Sequence, residues 1–206
     1  MDKREARDHV RHERTELLAF LETLTSEEWE AESLCTGWRV RDVVAHVVAY
    51  DQFAPGLGWH FVRSGFSVDR VNLRTAAAWS STNTDDLLGR LRANVIPGGI
   101  TRLIGWRVAL QDAVIHQQDV RRPLGRPRSI VPERVVGVLE CLVDPPRLTG
   151  LRSRAGGLRV EATDIGWVWG DGPLVSGKGE AIVMALAGRE SVVDELTGPG
   201  VARLRR

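Results

Sequence analysis

The chain has 206 residues, enough to bury a full core in one large domain or in one medium domain with a small companion, and two unequal parts are expected. Its 28 basic and 27 acidic residues leave a net charge of +1, which argues against a nucleic-acid partner and against an acidic solvating tail. No apolar run approaches a membrane span, the charged start "MDKREARDHVRHER" is unlike a signal peptide, and two distant cysteines fit a reducing cytoplasm. The expected partner is therefore a small molecule or another protein chain, a homodimer included. Only Lys3 and Lys178 are lysines, and arginine, whose rigid fork suits carboxylates, supplies the remaining basic residues.

From Arg4 to Leu24, the apolar residues Val10, Leu17, Leu18, Leu21 and Leu24 recur at helical spacing between charges and predict a long first helix. In "TSEE", Thr25 and Glu28 form a capping-box pattern that predicts a short helical turn carrying Trp29. A second main helix is expected from about Trp38 to Phe53, ended by "APGLG". After a looser segment, Asn83 or Thr84 can cap a third helix that "PGG" closes. The fourth runs from about Thr101 to Arg122 and stops at "RRPLGRP". These helices predict a four-helix bundle. Pro132 opens a further helix, placed to bridge to the C-terminal part. Beyond "DPPRLTG" the texture changes to glycine-punctuated runs, "LRVEAT", "IGWVWGDGPLV" and "VARLRR", around one apolar helix, "GEAIVMALAG". The fold class expected is mainly α, with a bundle over residues 1–147 and a small α+β domain over residues 148–206.

His46 lies among valines on the buried side of the second helix, where a neutral imidazole needs hydrogen-bond partners or a metal. Asp112 and His116 are four apart and share one helix face, a spacing that serves either a divalent metal or a carboxylate that orients a histidine. Two histidines and one carboxylate from different bundle helices would supply three ligands and leave a coordination position open for water or substrate. Asp119 falls on the same stripe, where it can orient His116 or pair with Arg122. His9, His12 and His60 are read as surface residues, and Cys35 as a small buried hydrophobe outside the ligand set. No nucleophile elbow or phosphate loop is present, and "SGKGE" is read as a turn before a helix.

The stretches "SLCTGWRVRDVVAHVVAYD" and "ALQDAVIHQQDVRRPLG" resemble the motifs of the mycothiol-dependent maleylpyruvate isomerase family, within the wider DinB-like group of metal-binding four-helix bundles. The tail from "LRVEAT" onward resembles that family's small C-terminal domain, related to sterol-carrier folds. The resemblance implies a divalent metal, zinc by usual assignment, on His46, Asp112 and His116, with glutamate more frequent in the family at the Asp112 position. It also implies mycothiol as cofactor or co-substrate and a small electrophile as substrate. A thiolate could add to a conjugated cis double bond and leave again, as in an isomerase, or stay attached, as in an S-transferase. Asp119 and Arg122 are the catalytic candidates, and Arg74 and Arg189 the cofactor-binding ones. Where the family tends to have a serine or threonine cap this chain has Arg39, so Thr36 or Gly37 is expected to cap the second helix. Two other readings stay open: a non-catalytic metal- or thiol-binding protein, and a metal-dependent hydrolase with Asp119 as base.

Overall fold

The computed structural model describes residues 1–51, 81–146 and 152–205. The stretch "APGLG", Phe53, the loop residue His60, Arg74 and the boundary between residues 147 and 148 lie outside them, while the helix expected to reach Phe53 already ends at Ala49.

Helix α1, Lys3–Leu21, starts one residue earlier than its apolar spacing predicts because Asp2 and Glu5 form a capping box. It stops before Leu24, since Thr25 and Glu28 then cap each other's backbone and start the short α2, Ser26–Glu30. Trp29 is buried there. Helix α3, Val40–Ala49, is capped differently from expectation. Neither Thr36 nor Gly37 does it. Arg39 occupies the cap position, and Asp42 in the first turn reaches back to accept from the Arg39 backbone N–H at 3.0 Å and from its guanidinium Nε at 2.9 Å.

Helix α4, Thr84–Ala93, is capped by Asn83. The long helix expected from Thr101 is two helices, α5, Gly99–Ile104, and α6, Trp106–Arg121. Gly105 separates them with φ +107°, a backbone setting that closes the helical ladder and that a side chain would oppose. Helices α1, α3, α4 and α6 form the bundle, with α1 and α3 each packed on α4 and α6. Helix α7, Pro132–Val143, packs on α6 on one side and, on the other, on α8, Gly179–Leu186.

The C-terminal part contains a three-stranded sheet in the order β2-β1-β3, with β1 Arg159–Ala162, β2 Trp167–Trp169 and β3 Leu174–Gly177. β1 runs antiparallel to β2 and parallel to β3, with Val160 opposite both Trp169 and Val175. The apolar run "VARLRR" is a 3₁₀ turn over Val201–Arg203 rather than an extended segment. Just before it Thr197 pairs with Ser176 and the Gly200 N–H donates to Leu174, so the edge of β3 is already engaged.

The apolar interior falls into two clusters. One holds Leu17, Leu21, Trp29, Val43, Val47, Leu87 and Leu91 inside the bundle. The other joins Leu110 and Val114 of α6 and Val138 and Leu139 of α7 to Val160, Val175, Ile182 and Met184. Helix α6 contributes to both, since Val120 belongs to the first. Among the described residues no helix is long and apolar enough to cross a membrane.

Candidate functional site

The site sits where α3 and α6 face each other inside the bundle. Helical spacing puts Asp112 and His116 one turn apart on α6, and the apolar face of α3 carries His46 toward them. Both imidazoles turn Nε2 to one oxygen. Asp112 Oδ1 lies 3.3 Å from His116 Nε2 and 3.8 Å from His46 Nε2. The two rings meet nearly edge to face, 4.8 Å between centroids.

His46 is buried, at 6% exposure. Its ring is held between Trp38, at 5.3 Å, and Tyr50, at 5.0 Å. Its Nδ1 has no hydrogen-bond partner among the described residues. Burial pushes its pKa below the ordinary histidine value, so the ring is neutral at neutral pH and can offer a lone pair.

His116 is held from its other side. Its Nδ1 lies 2.9 Å from Asp119 Oδ2, and because a carboxylate accepts, Nδ1 carries the hydrogen and Nε2 points to Asp112. Burial opposes charge on His116, but the Asp112 carboxylate and the hydrogen bonds to Asp112 and Asp119 outweigh it and raise the pKa well above the usual value. Burial likewise opposes ionisation of Asp112, yet the facing histidines hold its carboxyl far below the usual range.

Asp119 is fully buried and crowded with donors. Arg189, from beyond α8, grips it with two nitrogens, Nε at 2.8 Å from Oδ1 and Nη2 at 2.5 Å from Oδ2. The Cys35 thiol donates to Oδ2 at 3.1 Å, and Arg189 Nη2 also lies 3.3 Å from Cys35 Sγ. Burial opposes the carboxylate, but the bonds from Arg189 and His116 hold its pKa at about 2. The Asp119 carbonyl accepts from the Leu34 N–H, which docks the segment carrying Cys35 on α6.

Two donor groups therefore share His116: His46 and Asp112 at Nε2, Cys35 and Asp119 at Nδ1. The guanidinium of Arg189 already neutralises the second group. The first fits a metal better. In a tetrahedral zinc site with bonds of about 2.0–2.1 Å, neighbouring donors lie about 3.3 Å apart. The Asp112 oxygen stands 3.3 and 3.8 Å from the imidazole nitrogens, so the short aspartate side chain reaches far enough to act with both. Three donors leave a tetrahedral position free.

The four residues His46, Asp112, His116 and Asp119 form one connected group, and Arg189 joins it through Asp119. Arg122 does not. Its Nε donates to Glu180 at 2.8 Å and its Nη1 to Glu195 at 2.6 Å, which ties the end of α6 to α8 and the following 3₁₀ turn. Arg74 lies outside the described residues. The sequence pattern did not point to Cys35, Trp38 or Tyr50. Tyr50 follows His46 by four residues, a helical neighbour that spacing could have nominated; Cys35 and Trp38 reach the site by tertiary packing.

The fold and donor set define a class: a mainly helical protein whose bundle brings two histidines and a carboxylate together beside a small α+β unit. Residues 10–97 match the family model of the mycothiol maleylpyruvate isomerase N-terminal domain. The match spans less than half of the 206 residues, so it marks a similarity of the N-terminal part to that domain. The matched stretch carries His46, while Asp112 and His116 lie beyond it. Two crystal structures share the fold over nearly the whole chain. One is of a histidine-to-alanine variant of the mycothiol-dependent maleylpyruvate isomerase, at TM-score 0.64 and 18% identity, covering 97% of this chain and 93% of that one. The other is of the mycothiol-dependent maleylpyruvate isomerase itself, at TM-score 0.57 and 20% identity, with the same coverage. No curated protein matches the chain in sequence.

Proposed function

We propose that this chain is a metal-dependent enzyme that uses mycothiol as cofactor or co-substrate and acts on a small electrophile, as a maleylpyruvate isomerase-like enzyme or a thiol S-transferase. The observation that carries this reading is the convergence of His46 Nε2 and His116 Nε2 on one Asp112 oxygen, at 3.8 and 3.3 Å. The match of residues 10–97 to the mycothiol maleylpyruvate isomerase N-terminal domain and the shared fold support the choice of thiol.

His46, Asp112 and His116 would hold the metal, with zinc favoured by two imidazoles and one carboxylate. Bound there, a divalent cation supplies an open electrophilic position at which a thiol loses its proton near neutral pH. The chain's own side chains do the rest. Asp119 accepts the Nδ1 hydrogen of His116 and so holds Nε2 toward the site, where a metal would take the place of the proton on Nε2. Trp38 and Tyr50 fix the His46 ring and keep water off it. Addition of the thiolate to a conjugated double bond and its later departure would isomerise the electrophile; a retained carbon–sulfur bond would make the reaction a transfer. On this reading the bundle of residues 1–147 carries the metal ligands, and the unit of residues 148–206 supports them through Arg189.

Metal analysis of the purified chain tests the first part. About one zinc per chain is expected, falling below about a tenth of that in His46→Ala and His116→Ala while both still fold. A parent chain without stoichiometric metal would overturn the site. The second part is read from consumption of an electrophile such as maleylpyruvate with zinc-loaded protein, with and without mycothiol. Equal rates in the two would overturn the thiol dependence.

A further inference from the structure

All three nitrogens of the Arg189 guanidinium contact the protein. Nε and Nη2 hold the two oxygens of Asp119, Nη2 also faces Cys35 Sγ, and Nη1 donates to the Ala187 carbonyl at 2.7 Å. The last bond anchors the head group on the end of its own helix. The backbone is anchored too. Gly188 adopts φ +89°, and the Arg189 N–H returns to the Met184 carbonyl at 3.0 Å, a glycine-closed helix end that places Arg189 just past α8. Four of its five N–H donors thus face named protein acceptors, and one on Nη1 remains beyond these contacts. What it does hold is the carboxylate that orients His116.

We infer that Arg189 is a positioning residue that couples docking of the C-terminal unit to the metal affinity of the bundle, through Asp119 and His116. The inference rests on the proposed metal site of His46, Asp112 and His116. Asp119 takes the Nδ1 hydrogen of His116 at 2.9 Å, and the outer partners of ligating histidines set ring orientation and basicity. Arg189 in turn fixes Asp119, which is fully buried and would otherwise lose the guanidinium that binds both of its oxygens. The relay thus crosses from the C-terminal unit to a ligand atom in two hydrogen-bonded steps. Because coupling is reciprocal, a metal that fixes His116 also tightens the hold on the segment around Arg189. The Arg122 ion pairs with Glu180 and Glu195 bridge the same two parts without touching His116, and so separate simple docking from positioning.

The test compares zinc affinity, by chelator competition, in the full-length parent, Arg189→Met, Asp119→Asn, the double variant and Glu195→Gln. Arg189→Met and Asp119→Asn should each weaken zinc about 10- to 100-fold, and the double variant no more than the weaker single one. Glu195→Gln should stay within about threefold of the parent, as an exposed pair would. Amide hydrogen exchange gives a second readout on the parent alone: zinc should slow exchange across residues 187–196, the stretch that carries Arg189 and the following turn. Parental zinc affinity in Arg189→Met, effects that multiply in the double variant, or exchange indifferent to zinc would each overturn the coupling while leaving the metal site standing. If Arg189→Met does not fold, the exchange measurement decides. A parent that binds no zinc would remove the site and the coupling together.

Discussion

His46 and His116 face the same carboxylate oxygen yet are supported in opposite ways, one by packed rings and the other by a chain of charged hydrogen bonds. The pair Asp112 and His116 was legible in the sequence because a separation of four puts two side chains on one helix face whatever the rest of the fold does. His46 was legible as a histidine among valines. Cys35 was not, since a thiol near Asp119 is created by the docking of Leu34 on α6, and no local spacing encodes that contact. Nor was Arg189 readable as the partner of Asp119 across 70 residues of sequence. A second buried charge has a testable consequence. Asp51 is paired with Arg14 and almost fully buried, and burial raises its carboxyl to about 6 although Arg14 pulls it down. A carboxyl with a raised folded-state value contributes stability that is full below its ordinary value near 3.8 and is lost as pH rises through about 6. Asp119, held at about 2, has the opposite sign: its contribution is present above 3.8 and lost as pH falls through about 2. Between pH 5 and 7 the Asp51 effect acts alone of the two. Urea unfolding of the metal-free chain should therefore show a contribution of about 1 to 2 kcal/mol favouring pH 5, absent in Asp51→Asn. An identical pH difference in parent and variant would remove Asp51 as its source.

At the level of elements, periodicity located the helices and local chemistry set their ends. The capping boxes at Asp2 and Thr25 start α1 and α2, and Asn83 caps α4. Helix α3 starts at Val40 rather than Trp38, with Arg39 at the cap position and its N–H held by the first-turn carboxylate of Asp42. The fourth helix was read as continuous because one glycine in an apolar periodic run does not by itself announce a break, whereas φ +107° at Gly105 imposes one. Gly188 has the comparable setting at the end of α8, φ +89°, and needs it to turn Arg189 back toward Asp119. Gly188→Ala should cost about 1 to 2 kcal/mol, since an L side chain is strained at that backbone angle. The expected readout is a melting temperature lower by about 2 to 8 °C, given about 2 to 4 °C per kcal/mol for a domain of this size. An unchanged melting temperature would show that the turn relaxes without loss.

Across the whole molecule, buried charges and the apolar core bind the parts together. Glu13 of α1, fully buried, accepts from Arg134 of α7 at 2.7 Å and from Arg128 at 3.2 Å, so α1 and α7 are locked at one edge of α6. The second apolar cluster continues from α6 and α7 into the sheet and α8. A metal bound only by the folded arrangement must add to global stability. At zinc 100 times above its dissociation constant the gain should be about 2.7 kcal/mol, reversed by a chelator and missing in Asp112→Ala. Equal unfolding curves with and without zinc would overturn that expectation. The sequence by itself determined the mainly helical class, the bundle followed by a glycine-rich α+β tail, and the three candidate ligands, because helical periodicity, caps and a separation of four are local properties of the chain. Only the tertiary structure decided that Asp112 reaches both histidines, that Arg122 serves an ion-pair clamp, and that Asp119, Cys35 and Arg189 meet. Those outcomes depend on the distance between groups far apart in the chain, which is settled when the helices pack and the buried charges find partners.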